Sequence, residues 1–119
     1  MAVRTAKMVK TDNGMLVVTW EALGEVGGTK DSGQAVTVGN VEGLIAQGLG
    51  NFDTNAVVTM EGSNDGVTWV AIGANTLTAS VFFSTIASRP LYIRPNVTTN
   101  GAGDAADIDV ILVGAIRVR

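Results

Sequence analysis

The acidic residues near the C-terminus are the side chains whose types and spacing come nearest to a metal site. Asp104, Asp107 and Asp109 lie close together with Asn100 just before them, and calcium binds such clusters of hard oxygen ligands. The spacing departs from the EF-hand loop, and on a strand Asp107 and Asp109 point the same way while Asp104 stays in the loop. We therefore interpret the cluster as the solvated entry to a strand and predict no metal site.

Catalytic groups are scarce in this chain. The sequence contains no histidine and no cysteine, which removes the commonest general base, thiolate nucleophiles, disulfides and Cys-based metal sites. No pair of carboxylates is marked out for glycosidase chemistry, which needs two carboxyl groups of different acidity flanking a cleft. We expect a protein that is not an enzyme and that carries no cofactor.

The large aromatic side chains have two interpretations. Trp20, Trp69 and Tyr92 have the chemistry of a platform for sugar rings, in a chain with only two Trp, one Tyr and three Phe. Packing in the core is the favoured interpretation, because such side chains dominate the cores of small β domains.

Charge is distributed unevenly along the chain, whose net charge is −3. Between residues 11 and 88 the single base Lys30 stands against eight acids. The first ten residues carry no acid and three bases, Arg4, Lys7 and Lys10.

This asymmetry divides the sequence into a basic N-terminal arm, residues 1–12, and a body, residues 13–119. The arm is either a solvated, poorly ordered terminus or a segment that docks on an acidic partner surface. Its three cations are too few to indicate nucleic-acid binding, so we predict no nucleic-acid partner.

Neither a signal peptide nor a membrane span is expected. Charged residues interrupt the N-terminal stretch. The longest apolar run, Val110 to Ile116, is far shorter than the roughly 20 residues that cross a bilayer.

The stretch from Ala56 to Ile72 predicts a β-hairpin. Ala56, Val58 and Met60 lie on one face and Val57, Thr59 and Glu61 on the other, as on a half-buried strand, and a return strand is predicted over residues 67–72. The turn residues bond their own backbone or tolerate positive φ. They are Ser63, Asn64, Asp65 and Gly66.

Two further strands are well marked. Met15 to Leu23 is apolar on both faces, which indicates burial on two sides, in a sandwich interior or beneath a neighbouring subunit. The last strand, residues 107–119, puts Ile108, Val110 and Leu112 on one face, and Gly114 in its middle predicts a bulge or the close approach of another backbone.

The remaining segments are less regular. Residues 24–33 have the composition of an exposed glycine-rich loop, whereas residues 34–49 fit short strands or a helical turn. Residues 80–87 fit either a short helix or an edge strand. Residues 91–97 form a strand that Pro95 should place at an edge or end.

Short strands separated by Gly, Asn and Asp turns predict an all-β fold. We expect a single-domain antiparallel β-sandwich or small jelly-roll-like barrel with at most one short helix.

Three segments resemble small structural proteins encoded in the head gene clusters of tailed phages. They are EGSNDGVTW, which ends at Trp69, the Arg94-Pro95 pair in YIRPNV, and VVTWEAL, which contains Trp20 and precedes a glycine-rich loop. The chain thus resembles capsid decoration, or cement, proteins.

The resemblance implies a non-enzymatic viral protein on the outer capsid surface of the virion, made in the host cytoplasm. It implies binding to the major capsid protein, often as homo-trimers, and stabilisation of contacts between capsid subunits. The basic arm and the loop at residues 24–33 are the expected contacts, so the candidate capsid-binding residues are Arg4, Lys7, Lys10, Lys30 and Asp31.

A rival family also matches the hairpin. The sequence SNDGVTW is similar to the hairpin of discoidin-like, galactose-binding jelly rolls. That resemblance implies a carbohydrate-binding module on a virion or a secreted protein, although such modules are usually longer, on the order of 140 residues for an eight-stranded jelly roll.

Overall fold

The computed structural model describes residues 3–11, 13–26, 29–54, 56–78, 82–86, 90–99 and 106–117. Within these residues the chain forms β-strands and no helix. In chain order the strands are β1 (Val3–Arg4), β2 (Ala6–Lys10), β3 (Met15–Val26), β4 (Thr29–Lys30), β5 (Ser32–Gly33), β6 (Val36–Thr37), β7 (Val41–Asn51), β8 (Val57–Ser63), β9 (Val70–Leu77), β10 (Phe82–Thr85), β11 (Tyr92–Thr99) and β12 (Asp107–Ile116).

The strands form two sheets that pack face to face. Sheet 1 has the order β1-β5-β11-β8-β9, with β6 also paired to β11. Sheet 2 has the order β10-β7-β12-β3-β2, with β4 paired to β3. Among the described pairings, only β1 with β5 is parallel. The predicted all-β sandwich is confirmed, and its strand order follows no simple hairpin succession.

The core lies between the sheets and follows the alternation of the strands. In β3 the buried side chains are Leu16, Val18 and Trp20. In β12 they are Ile108, Val110 and Leu112, as the sequence predicted. Sheet 1 contributes its own alternating set, which includes Val58, Met60, Ile93 and Val97.

The predicted hairpin is formed by β8 and β9, but its second strand starts later and runs further. Glu61 pairs with Ala71 and Gly62 with Val70, so the return strand is Val70–Leu77 rather than residues 67–72. The reason is local: the backbone N–H groups of residues 67 and 68 donate to the Asp65 carboxylate and are not available to the ladder.

The prediction that Pro95 lies at a sheet edge or strand end is wrong. Pro95 pairs with Met60 of β8 in the middle of β11, which is an interior strand. On its other side β11 pairs with β5 at Asn96 and with β6 at Ile93, so Pro95 falls between the two short pairings. Its ring packs over Gly33, where a Cβ atom would lie 2.6 Å from it.

The prediction of an exposed loop at residues 24–33 is also wrong. Strand β3 continues to Val26, and β4 folds back on it with Lys30 opposite Glu25. Asp31 and Ser32 are buried beyond it. The Gly27-Gly28 pair lies outside the described residues.

The segments for which the sequence allowed either a strand or a helix form strands where the structure describes them. Residues 41–51 form β7, and β10 is an edge strand of sheet 2 rather than a helix. None of the described elements is a helix long and apolar enough to cross a membrane.

The N-terminal segment belongs to both sheets. Strand β1 pairs with β5 in sheet 1, and β2 pairs with β3 along its whole length in sheet 2. Arg4 O accepts a hydrogen bond from Gln34 N at 2.8 Å, and Gln34 Oε1 accepts one from Ala6 N at 3.0 Å. Residues 3–4 and 6–10 are therefore strands of the two sheets rather than a poorly ordered terminus, although most of their side chains are exposed.

Gly114 confirms the predicted bulge in the last strand, and its missing side chain leaves room for core side chains of β7. The register between β12 and β7 shifts at this residue. A Cβ atom placed on it would lie 2.9 Å from Leu44 Cδ2 and closer still to Val41 Cγ1.

We expect a Gly114→Ala variant to lose about 1–3 kcal/mol of unfolding free energy, because the added methyl group overpacks the core. Urea denaturation would measure the loss. The neighbouring substitution Ala115→Ser, at an exposed position, is the control and should change stability by less than about 0.5 kcal/mol. Equal midpoints for the two variants would contradict the assignment of Gly114 to a packed contact.

Candidate functional site

Arg94 connects β11, β8 and the turn that precedes β9 on the outer face of sheet 1. It lies directly opposite Glu61 in the ladder, and its Nε donates to Glu61 Oε1 at 3.0 Å. Its guanidinium carbon lies 4.2 Å from the centroid of the Trp69 ring, a cation–π geometry. Asn96 Nδ2 donates to the second oxygen of Glu61 at 3.3 Å. The resemblance residues Trp69 and Arg94 are thus brought together by the fold.

The hairpin tip, residues 63–70, is held by its own side chains. Ser63 Oγ accepts the Gly66 N–H at 2.9 Å and donates to Asp65 Oδ1 at 2.8 Å. Asp65 Oδ1 accepts the N–H groups of Thr68 at 2.7 Å and Val67 at 2.8 Å. These backbone bonds, first that of Thr68, then that of Val67 and then the Ser63 hydroxyl, hold the pKa of Asp65 far below its usual range. The prediction that Ser63, Asp65 and Gly66 serve the turn is confirmed, whereas Asn64 Oδ1 accepts the N–H of the distant Leu91 at 3.0 Å.

The pH dependence of the hairpin tip follows from this depressed pKa. The ionised Asp65 carboxylate stabilises the tip fully above the unfolded-state pKa of about 3.9. This stabilisation is lost as the pH falls from that value through the lower folded-state pKa. We expect the NMR shifts of the Val67 and Thr68 amide protons to titrate well below about pH 3.9. An Asp65→Asn variant, which cannot titrate here, is the control. A midpoint at the ordinary value would contradict the role of the carboxylate.

The aromatic side chains do not form one platform. Trp20 is fully buried and its Nε1 donates to Gln34 O at 2.9 Å, which confirms core packing for this residue. Trp69 and Tyr92 are half-buried. Arg94 covers one face of the Trp69 ring, so that face is not open to a sugar ring.

Asp31 and Arg4, two of the candidate capsid contacts, form a structural ion pair. Asp31 is only 6% exposed, and its Oδ2 accepts Arg4 Nε at 3.0 Å and Gly24 N at 3.1 Å. Its backbone N–H donates to Gly24 O, and its backbone carbonyl accepts the N–H of Val97. Asp31 therefore ties β1, β3 and β11 together and is not a surface contact.

The basic candidates do not converge on one patch. Lys7 pairs with Glu21 on the neighbouring strand at 2.6 Å. Lys10 lies opposite Leu16, whereas Lys30 lies opposite Glu25. Leu16 and Glu25, the β3 partners of Lys10 and Lys30, are about 30 Å apart along β3 at about 3.3 Å per residue. Lys7 and Lys10 share β2, and Lys30 belongs to the other end of the sheet.

The C-terminal acidic residues have a structural role where the structure describes them. Residues 21 and 22 of β3 together oppose Asp109, which makes a bulge, and Asp109 Oδ1 accepts the Ala22 N–H at 3.0 Å. Asp104 and Asn100 lie outside the described residues. In the described part of the chain no three acidic side chains are grouped as a metal site.

The outer face of sheet 2 carries an exposed apolar surface, which we call the apolar belt. The ladder registers place four aliphatic residues side by side across four strands. Val9 and Ile45, at the two ends, are 58% and 42% exposed, and the middle two are half-buried. The belt consists of Val9, Val17, Val113 and Ile45.

Charged pairs border the apolar belt along the strand direction. Lys7 and Glu21 lie on one side, and Arg117 Nη1 with Glu42 Oε1, 3.2 Å apart, on the other. An apolar centre with a polar rim is the usual anatomy of a protein interface.

Sequence reasoning found only part of the belt. The apolar second face of β3, which includes Val17, predicted burial in a sandwich interior or beneath a neighbouring subunit. Val113 was not predicted, because it alternates in step with the charged residues Asp107, Asp109 and Arg117. The consecutive apolar residues 110–113 were the available signal, since a strand with such a run is apolar on both faces.

Comparison with known proteins identifies a relative in fold. No protein-family model matches the chain, and no curated protein matches it. The crystal structure of SPBc2 prophage-derived protein YomS is similar, with a TM-score of 0.62 over 91% of this chain and 98% of that chain, at 13% sequence identity. This chain therefore shares its two-sheet fold with a protein that derives from a prophage.

Proposed function

We propose that this chain is a phage capsid decoration protein. In this role it has no catalytic activity, binds the outer surface of an icosahedral head through the major capsid protein, and stabilises contacts between neighbouring capsid subunits. It is made in the host cytoplasm and carried on the virion. The fold shared with a prophage-derived protein is consistent with this setting.

The observation that carries the proposal is the apolar belt. A small domain that already buries a full core gains nothing from aliphatic side chains aligned on its outside, and contiguous exposed apolar patches mark interaction sites. The four belt strands span about 14 Å at 4.8 Å per strand. A flat surface of this kind fits a protein partner better than a small molecule, which needs a concave site.

The decoration role also predicts the assembly. We propose that three copies gather around each threefold position of the head, each with its apolar belt against a capsid subunit. Lys7, which lies on the same face of β2 as Val9 of the belt, would then face acidic capsid surface.

Co-sedimentation tests this proposal. Purified protein is mixed with expanded, decoration-free capsids of the phage that encodes it, and its free mass is measured by light scattering. Saturable binding at a fixed ratio to the major capsid protein is expected. Absence of binding would overturn the capsid role, and glycan-array binding in its place would favour the carbohydrate-binding module with Trp69 and Tyr92 as its surface.

A further inference from the structure

Strand β2 is a free sheet edge. It is the last strand of sheet 2, so one side of its backbone has no partner strand among the described residues. Residues 7–10 are all exposed, including Met8 at 48%. Unpaired edge groups are a template for another strand unless the protein blocks them.

A cleft opens beside this edge, between the two sheets. It has a volume of about 230 Å³ and is lined by Met8, Lys10, Leu16, Thr37, Asn40, Val41 and Ile116. Since one liquid water occupies about 30 Å³, the cleft holds several waters or one apolar side chain. Four of its seven lining residues are apolar, and Lys10 is its one charged lining residue.

The positive charge of β2 indicates that its partner is acidic. No ion pair joins Lys10 to a residue that the structure describes. Lysines on an edge strand repel a second copy of the same edge, which is how proteins prevent self-pairing. The same lysines attract an acidic strand. An extended acidic segment therefore fits this edge, whereas another copy of β2 does not.

We infer that the free edge of β2 and the adjacent cleft bind an extended acidic segment of a partner protein. The segment adds to sheet 2 as a further strand, places one apolar side chain in the cleft beside Met8, and sets a carboxylate against Lys10. Addition of a strand to a sheet edge draws affinity from main-chain hydrogen bonds and specificity from such side-chain pockets. The partner protein is the one in the proposed function, and in that respect the inference rests on that function.

A peptide pair tests the inference with the full chain. The probe is the fluorescein-labelled, blocked peptide Thr-Glu-Ile-Leu-Val-Glu-Thr, and its counterpart carries Lys in place of both Glu residues. We expect the acidic peptide to bind at least about tenfold more tightly by fluorescence anisotropy. The charge-reversal variant Lys10→Glu should weaken binding by about tenfold or more, and the matched variant Lys30→Glu by less than about twofold.

Hydrogen exchange separates strand addition from simple charge attraction. On peptide binding, the β2 amides that point away from β3 should become protected from exchange, because they now donate to the peptide. Equal binding of the two peptides, equal effects of the two variants, or binding without new protection would overturn the inference. If the peptide fails while the protein still co-sediments with capsids, only the inference is wrong; if the peptide binds and capsids do not, only the capsid role is wrong.

Discussion

A Trp20→Ala variant is expected to lose about 3–5 kcal/mol of unfolding free energy, the range for removing a large aromatic side chain from a packed core. Trp20 is fully buried at the centre of the sandwich, and its indole N–H satisfies Gln34 O. Domains of this size are stable by only about 5–15 kcal/mol. The variant should therefore unfold at a much lower urea concentration, as followed by far-UV circular dichroism.

Trp20→Phe is the control for this substitution. Phe retains most of the apolar volume but removes the hydrogen bond from Trp20 Nε1 to Gln34 O, whose net contribution is about 0.5–1.5 kcal/mol. We expect its unfolding midpoint to lie between those of the wild type and Trp20→Ala. A Trp20→Ala protein as stable as Trp20→Phe would show that the indole does not fill the core.

The double variant Val9→Glu/Ile45→Glu is expected to abolish capsid binding, with affinity lowered by at least about 100-fold. In the proposed complex both carboxylates would be buried in an apolar interface without partners, at a cost of several kcal/mol each, and about 2.7 kcal/mol already corresponds to 100-fold. Both positions are exposed in the free protein, so the fold should tolerate the change. Co-sedimentation with decoration-free capsids measures the loss.

Val67→Glu/Val70→Glu is the matched control for the belt. Val67 and Val70 are 80% and 64% exposed on the hairpin of the other sheet, so the same chemical change there, with the same added charge, should leave capsid binding intact. Capsid binding by the belt variant at wild-type affinity would assign the docking surface elsewhere. Equal loss in both variants would point to net charge rather than to the belt.

The parts of the fold that the sequence predicted are those decided by local patterns. Alternation in β12 identified Val110 and Leu112 as core residues, because a strand buried on one face repeats every two residues; the large aromatic side chain identified Trp20. The Ser63 and Asp65 turn was predictable for a similar reason, since each side chain bonds backbone within three residues of itself.

The errors arose where distant contacts decide the structure. Asp31 is buried because it meets Arg4 and Gly24, and nothing in the composition of residues 24–33 indicates those partners. Pro95 is accepted in an interior strand because two short strands leave a gap opposite it and because Gly33 offers no side chain. Neither condition is visible without the strand order.

The candidate site was predictable to a similar degree. The apolar second face of β3 indicated a surface to be covered. The belt itself depends on the register that aligns Val9 with Val17, Val17 with Val113, and Val113 with Ile45. Side-by-side pairing across strands is a property of register, which a strand pattern alone does not determine.

The central position of β12 in sheet 2 has a consequence for biosynthesis. β12 lies between β7 and β3, yet it is the last of the described strands to leave the ribosome. At translation rates of about 5–20 residues per second, β3 remains without its neighbouring strand β12 for several seconds. Sheet 2 therefore closes only after residue 116 has been made, and a nascent chain stalled before this point should be sensitive to protease along β3 and β7.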